Sequence, residues 1–97
     1  MATNRANIAS GADTVLYSAT NRGCTSFRVD VPLGAGNGIL IHVDGLHAAD
    51  EYIPIPVGGS ATFRYYDGQL KRVVAQGDGG TCTGLTYGVV SKTAATS

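Results

Sequence analysis

Apolar and polar residues alternate along this chain in short runs, and nowhere do apolar residues recur at the spacing of a long amphipathic helix. From Ser26 to Val31, Phe27, Val29 and Val31 fall on one face, with Ser26, Arg28 and Asp30 on the other. Gly38 to Asp44 repeats the pattern: Ile39, Ile41 and Val43 point inward, while Leu40, His42 and Asp44 point outward. Ala61 to Tyr66 sets Phe63 and Tyr65 against Thr62, Arg64 and Tyr66. Thr81 to Val90 sets Leu85, Tyr87 and Val89 against Gly84, Thr86 and Gly88, and its alternate glycines leave a bare face for close approach by a backbone or ligand. Such runs, punctuated by Gly, Pro, Asn and Asp, predict an all-β fold, a small antiparallel β-sandwich or a barrel.

The punctuation makes further predictions. Asp67-Gly68 separates Ala61–Tyr66 from a second run, Gln69–Gln76, and predicts a two-residue hairpin with positive φ at both central positions. In Tyr52-Ile53-Pro54-Ile55-Pro56-Val57 the two prolines would lie on the same side of an extended chain, so that side cannot complete a ladder. We expect an edge strand or polyproline-like crossing there, with Ile53, Ile55 and Val57 inward and a turn at Gly58-Gly59. Met1 to Ala12 is small and polar with Ile8 as its single apolar anchor, and reads as a flexible N-terminal arm. The expected organisation is an arm over 1–12, a sandwich over 13–92 and a tail over 93–97.

Composition narrows what such a domain does. Only 14% of the 97 residues are charged, and seven basic side chains balance seven acidic ones. A neutral chain lacks the basic footprint of a nucleic-acid or anionic-membrane binder, and neutrality removes the repulsion that keeps small proteins apart. The start, Met1-Ala2-Thr3-Asn4-Arg5, carries no basic region followed by an apolar stretch, so a standard secretion signal is not expected. Cys24 and Cys82 fall short of a disulfide scaffold and are expected to be reduced; neither has a second cysteine or histidine at zinc-ligand spacing.

Little in the chain suggests catalysis. Gly34-Ala35-Gly36-Asn37-Gly38 has Ile39 where a dinucleotide fingerprint needs its third glycine and precedes a strand, so it is a turn. Val57-Gly58-Gly59-Ser60-Ala61 lacks the glycine spacing of a nucleophile elbow; Ser60 instead opens a strand. His42, Asp44, His47, Asp50 and Glu51 form the one cluster with ligand or acid–base chemistry, but their spacing matches no metal motif and suits a solvated strand end. No enzyme activity, metal or cofactor is expected. Tyr52, Tyr65, Tyr66 and Tyr87 offer amphipathic surface for a protein interface or for stacking on sugars, although the lack of tryptophan weighs against sugars.

Three stretches carry a resemblance: Ile39-Leu40-Ile41-His42-Val43-Asp44-Gly45-Leu46-His47, then Ile53-Pro54-Ile55-Pro56-Val57-Gly58-Gly59-Ser60-Ala61-Thr62-Phe63-Arg64, then Gly77-Asp78-Gly79-Gly80-Thr81. Over residues 14 to 92 the chain resembles small all-β structural proteins of tailed bacteriophages, of the capsid decoration or cement type, and the sandwich expected with that resemblance is jelly-roll or immunoglobulin-like. The resemblance implies a virion protein on the capsid surface, assembled in the host cytoplasm, that clamps the major capsid protein as a homo-oligomer, with a trimer favoured. It implies no nucleic-acid or membrane partner. The residues expected at the interface are Arg5 and Ile8 on the arm, together with Leu46, His47, Tyr52 and Tyr66. Alternatives are a carbohydrate-binding β-sandwich and another neck or tail component.

Overall fold

Each alternating run buries one face. The computed structural model describes residues 4–19, 23–44, 46–48, 50–64 and 70–91. Its strands are β1 (Asn4–Ile8), β2 (Thr14–Ser18), β3 (Ser26–Asp30), β4 (Ile39–Asp44), β5 (Ile53–Ile55), β6 (Ser60–Arg64), β7 (Arg72–Gly77) and β8 (Cys82–Ser91). Phe27, Val29, Ile39, Ile41, Val43, Phe63 and Leu85 all enter one core, as the two-residue period requires. Leu70, Val73, Ala75, Cys24 and Cys82 join it, with Ile8, Val31, Ala35 and Ile55.

Two four-stranded antiparallel sheets enclose this core, in the orders β1-β8-β3-β6 and β2-β7-β4-β5. The order follows one rule: β1 lies beside β8, β2 beside β7, β3 beside β6 and β4 beside β5. A single long antiparallel ribbon, closed at β4 and β5 and wound around the core, produces it. The extra neighbours β3–β8 and β4–β7 then hold the winding shut. This is the eight-stranded jelly roll, a sandwich rather than the barrel that the pattern left open.

Several local expectations change. Asn4–Ile8 belongs to the sheet rather than to an arm: Asn4, Arg5 and Ala6 pair with Tyr87, Thr86 and Leu85, and Ile8 is fully buried opposite Cys82. A strand with one solvent face and a single large apolar residue leaves almost no period in sequence. Between Ala6 and Ile8 the register breaks, since Thr83 and Gly84 on β8 oppose Asn7 alone, whose Oδ1 accepts the Gly84 amide at 3.0 Å. Gly84 has φ +79°, a bulge position that suits glycine. The bulge also resets the alternation, bringing Cys82 and Leu85 to the same interior.

The hairpin turn expected at Asp67-Gly68 lies outside the described residues, as does the tail over 93–97. The strands flanking that turn, however, sit in different sheets, so β6 does not pair with β7. Local turn chemistry cannot tell whether the strands on either side pair. At the other end of β5 the edge reading holds, with Ile55 buried and β5 outermost in its sheet. Val57 is not inward: it is 37% exposed, in a turn where the Gly59 amide donates to Pro56 O and Gly58 takes φ +82°. Cys24 and Cys82 are buried thiols not bridged to each other, and burial pushes the Cys82 pKa up, away from reactivity.

Candidate functional site

The two ends of β4 carry the features with most to offer a partner. At its C-terminal end, His47, Glu51 and Tyr52 return to His42 on the outward face of the second sheet. His42 points outward, as its parity demands, yet is only 6% exposed, which corrects the expectation of a solvated strand end. Its Nδ1 lies 2.8 Å from the Glu51 carbonyl and its Nε2 lies 2.7 Å from Asp44 Oδ1. The Glu51 carbonyl and the Asp44 carboxylate are both acceptors, so this setting favours the protonated ring, in which both nitrogens donate. Burial works against this charge, but the Glu51 carbonyl, then the Asp44 carboxylate and the more distant Asp13 outweigh it, and the His42 pKa is raised above 6.5.

His47 behaves oppositely. Its Nδ1 accepts the Val43 amide at 3.1 Å, which requires that nitrogen to be unprotonated. Burial lowers its pKa below 6.5, and the neighbouring His42 charge acts in the same direction against the pull of Glu51. The ring stands edge-on to Phe63 at 5.5 Å and 6.0 Å from the His42 ring, so it joins the outer cluster to the edge of the first sheet. Tyr52 covers His42 with ring centroids 5.4 Å apart, and its hydroxyl donates to Asp13, which also accepts from Gln76 Nε2 at 2.9 Å.

Every carboxylate in this cluster except that of exposed Asp50 thus has a protein donor: Asp44 from His42, Glu51 from the Ala48 amide, Asp13 from Tyr52 and Gln76. Among the described residues no three histidine, cysteine or acidic side chains converge to hold a metal ion. The arrangement is suited to locking the 44–52 segment onto the sheet.

The lock is expected to respond to pH in two opposed ways. A raised folded pKa means that the His42 contribution to stability is full below about pH 6.5 and fades as pH rises through the folded pKa. A lowered one means that the His47 contribution is full above about pH 6.5 and is lost as pH falls through its folded pKa. Chemical denaturation should therefore find His42→Gln more damaging at about pH 5.5 than at about pH 8.5, and His47→Gln more damaging at the higher pH. Equal losses at both pH values would contradict the assigned protonation states.

At the N-terminal end of β4 lies a different surface. Two turns of like sequence sit side by side, Pro32-Leu33-Gly34-Ala35 and Pro56-Val57-Gly58-Gly59, each closed by a bond from its fourth amide to its first carbonyl, at 3.1 and 2.9 Å. They are tied together: the Gly58 amide donates to Val31 O at 3.0 Å and the Val31 amide to Gly59 O at 2.8 Å. A Cβ on Gly58 would stand 2.7 Å from Leu33 Cδ2, so the leucine lies across that glycine. Leu33 is nevertheless 86% exposed and Val57 stands out beside it. Residues 31–38 and 54–63 contain no charged side chain. The Gly34–Gly38 segment is anchored as well, since Ala35 is buried, its carbonyl accepts from the Thr83 amide, and Asn37 Nδ2 donates to Thr81 O.

The residues expected at an interface do not form one patch. His47 and Tyr52 meet around His42, with Leu46 half-buried beside them against the core. Arg5 is exposed but lies on β1 in the other sheet, Ile8 is interior, and Tyr66 falls outside the described residues. Leu33 and Val57 were not expected there. A proline before and a glycine after a lone aliphatic residue is the signal that exposes both, because the residue between them occupies a turn rather than a strand. Of the other tyrosines, Tyr87 packs on Phe27 at 6.2 Å and so contributes to the core, while Tyr65 lies outside the described residues. Comparison with known protein families, curated proteins and solved structures finds no match to this chain.

Proposed function

We propose that this chain is a non-enzymatic structural protein of a virus particle, a decoration or cement module that docks on the major capsid protein of a tailed phage at the outer capsid surface. The observation that carries the reading is the pair of hydrogen-bonded turns presenting Leu33 and Val57 from two stretches that contain no charged side chain. A preformed apolar knob loses little conformational entropy on docking, which suits a small module that must bind a fixed shell. Neither turn itself carries a cation or an aromatic residue, which favours a protein socket over a lipid surface. Jelly rolls occur among viral capsid domains, although also among lectins and cupins, so the fold supports the reading only by analogy. Host-cytoplasmic assembly and homo-oligomerisation belong to the same proposal.

Purified particles of the virus that encodes the chain should contain it in many copies, and shells stripped of it should rebind it saturably. Leu33→Asp is expected to weaken rebinding about tenfold or more, the loss of one well-packed anchor, while leaving the denaturation midpoint nearly unchanged because Leu33 contributes little to the core. Particles devoid of the chain would refute the proposal.

A further inference from the structure

Four strands end the two sheets, and three of them are poor templates for another strand. β5 contains Pro54 and is followed by Pro56. β2 bulges between Val15 and Tyr17, and the β1 pairing breaks register at Asn7. β6 has none of these devices. Its five residues match β3 one for one without a shift, it contains no proline, and Ser60, Thr62 and Arg64 are exposed. Among the described residues nothing pairs with its outer side.

The hydrogen-bond phase of that edge can be worked out. The Val31 amide bonds to Gly59 O, so positions 31 and 59 form a bonded pair; alternation makes 29/61 and 27/63 bonded pairs too. The amides and carbonyls of Ser60, Thr62 and Arg64 therefore point away from β3. Laid antiparallel on a second β6 about a two-fold axis at Thr62, these groups face their counterparts. Thr62 meets Thr62 of the partner subunit, Ser60 meets Arg64 of the partner subunit, and every outward group finds a complement. Side chains agree: a threonine pair sits at the axis, no like charges stand directly opposite, and Ala61 faces Phe63 of the partner subunit, small against large. The zero net charge adds no long-range repulsion.

We propose that β6 is a self-pairing edge through which two copies of this chain form an antiparallel dimer, joining their β1-β8-β3-β6 sheets into one eight-stranded sheet. The inference does not rest on the virion reading. A two-fold edge departs from the three-fold oligomer that the phage resemblance implies, because it is the strand edge, not the fold, that sets the symmetry. A contact of five residues per strand is small, so the dimer should form at about 10–100 µM.

Sedimentation equilibrium of the full chain over that range should show monomer and dimer in exchange. Thr62→Lys puts like charges opposite each other on an exposed position and should weaken the dimer about tenfold or more with an unchanged circular dichroism spectrum. Thr62→Cys should give a disulfide-linked dimer on mild oxidation, since paired Cα atoms about 5.5 Å apart lie within bridging range, whereas Ser60→Cys should not. Buried Cys24 and Cys82 leave this readout clean. A strict monomer at about 100 µM, a trimer, a Thr62→Lys variant that dimerises like the parent, or equal cross-linking at positions 60 and 62 would each overturn the proposal.

Discussion

Replacing Phe27 by alanine is expected to remove about 3–5 kcal/mol of stability, a large share of what a domain of this size possesses. Phe27 is the largest of the fully buried side chains. It stands directly across from Phe63 on β6 and Val89 on β8, with the Tyr17 ring 5.8 Å and the Tyr87 ring 6.2 Å away. It therefore joins both sheets and three strands of its own sheet, and the cavity left by its loss has stiff walls that close poorly. Urea denaturation of the variant should give a midpoint far below that of the parent, with thermal unfolding displaced in the same direction. A change under about 1 kcal/mol would mean that the aromatic cluster is not the centre of the core.

Nearly as large an effect is expected at Ile8, where alanine should cost about 2–5 kcal/mol. A side chain on a flexible arm would cost almost nothing to truncate, so this measurement discriminates directly between arm and strand. The neighbouring backbone reinforces the expectation. The Gly77 amide donates to Ala9 O at 2.9 Å, so the segment just after β1 is bonded to β7 of the opposite sheet. Arg5→Ala, on an exposed position of the same strand, should by contrast stay within about 0.5 kcal/mol. A flat response at both positions would show that residues 4–8 do not form part of the folded unit.

The strands legible in sequence were those whose two faces differ most. β3 and β4 announce themselves through Phe27-Val29-Val31 and Ile39-Ile41-Val43, and the prolines of the β5 region predict an edge without any knowledge of the sheet. β1 was not legible because Asn4-Arg5-Ala6-Asn7-Ile8 has a single strong apolar residue and a bulge opposite it. The expected pairing of β6 with β7 fails for another reason. Short-range turn preference says only that the chain reverses, whereas the partners of β6 and β7 are chosen by burial across the whole chain. At the candidate site, parity placed His42 on the outer face correctly, but its burial depends on Glu51 and Tyr52 returning over it, a contact that no period encodes. The exposure of Leu33 was readable from its Pro-Leu-Gly setting, which two-residue periodicity passes over.

Pairing the first strand with the last has a consequence for how the protein comes into being. As the chain leaves the ribosome, β1 must wait for β8, its one partner in the sheet, and β3 must wait for the second of its two neighbours. The β1-β8-β3-β6 sheet therefore cannot be completed until β8 has been made. Even then, closure over such long sequence separations makes the search slow. Through that interval the hydrophobic strands stay open to other molecules, and yield in the cell should depend on chaperone supply and on the pace of translation.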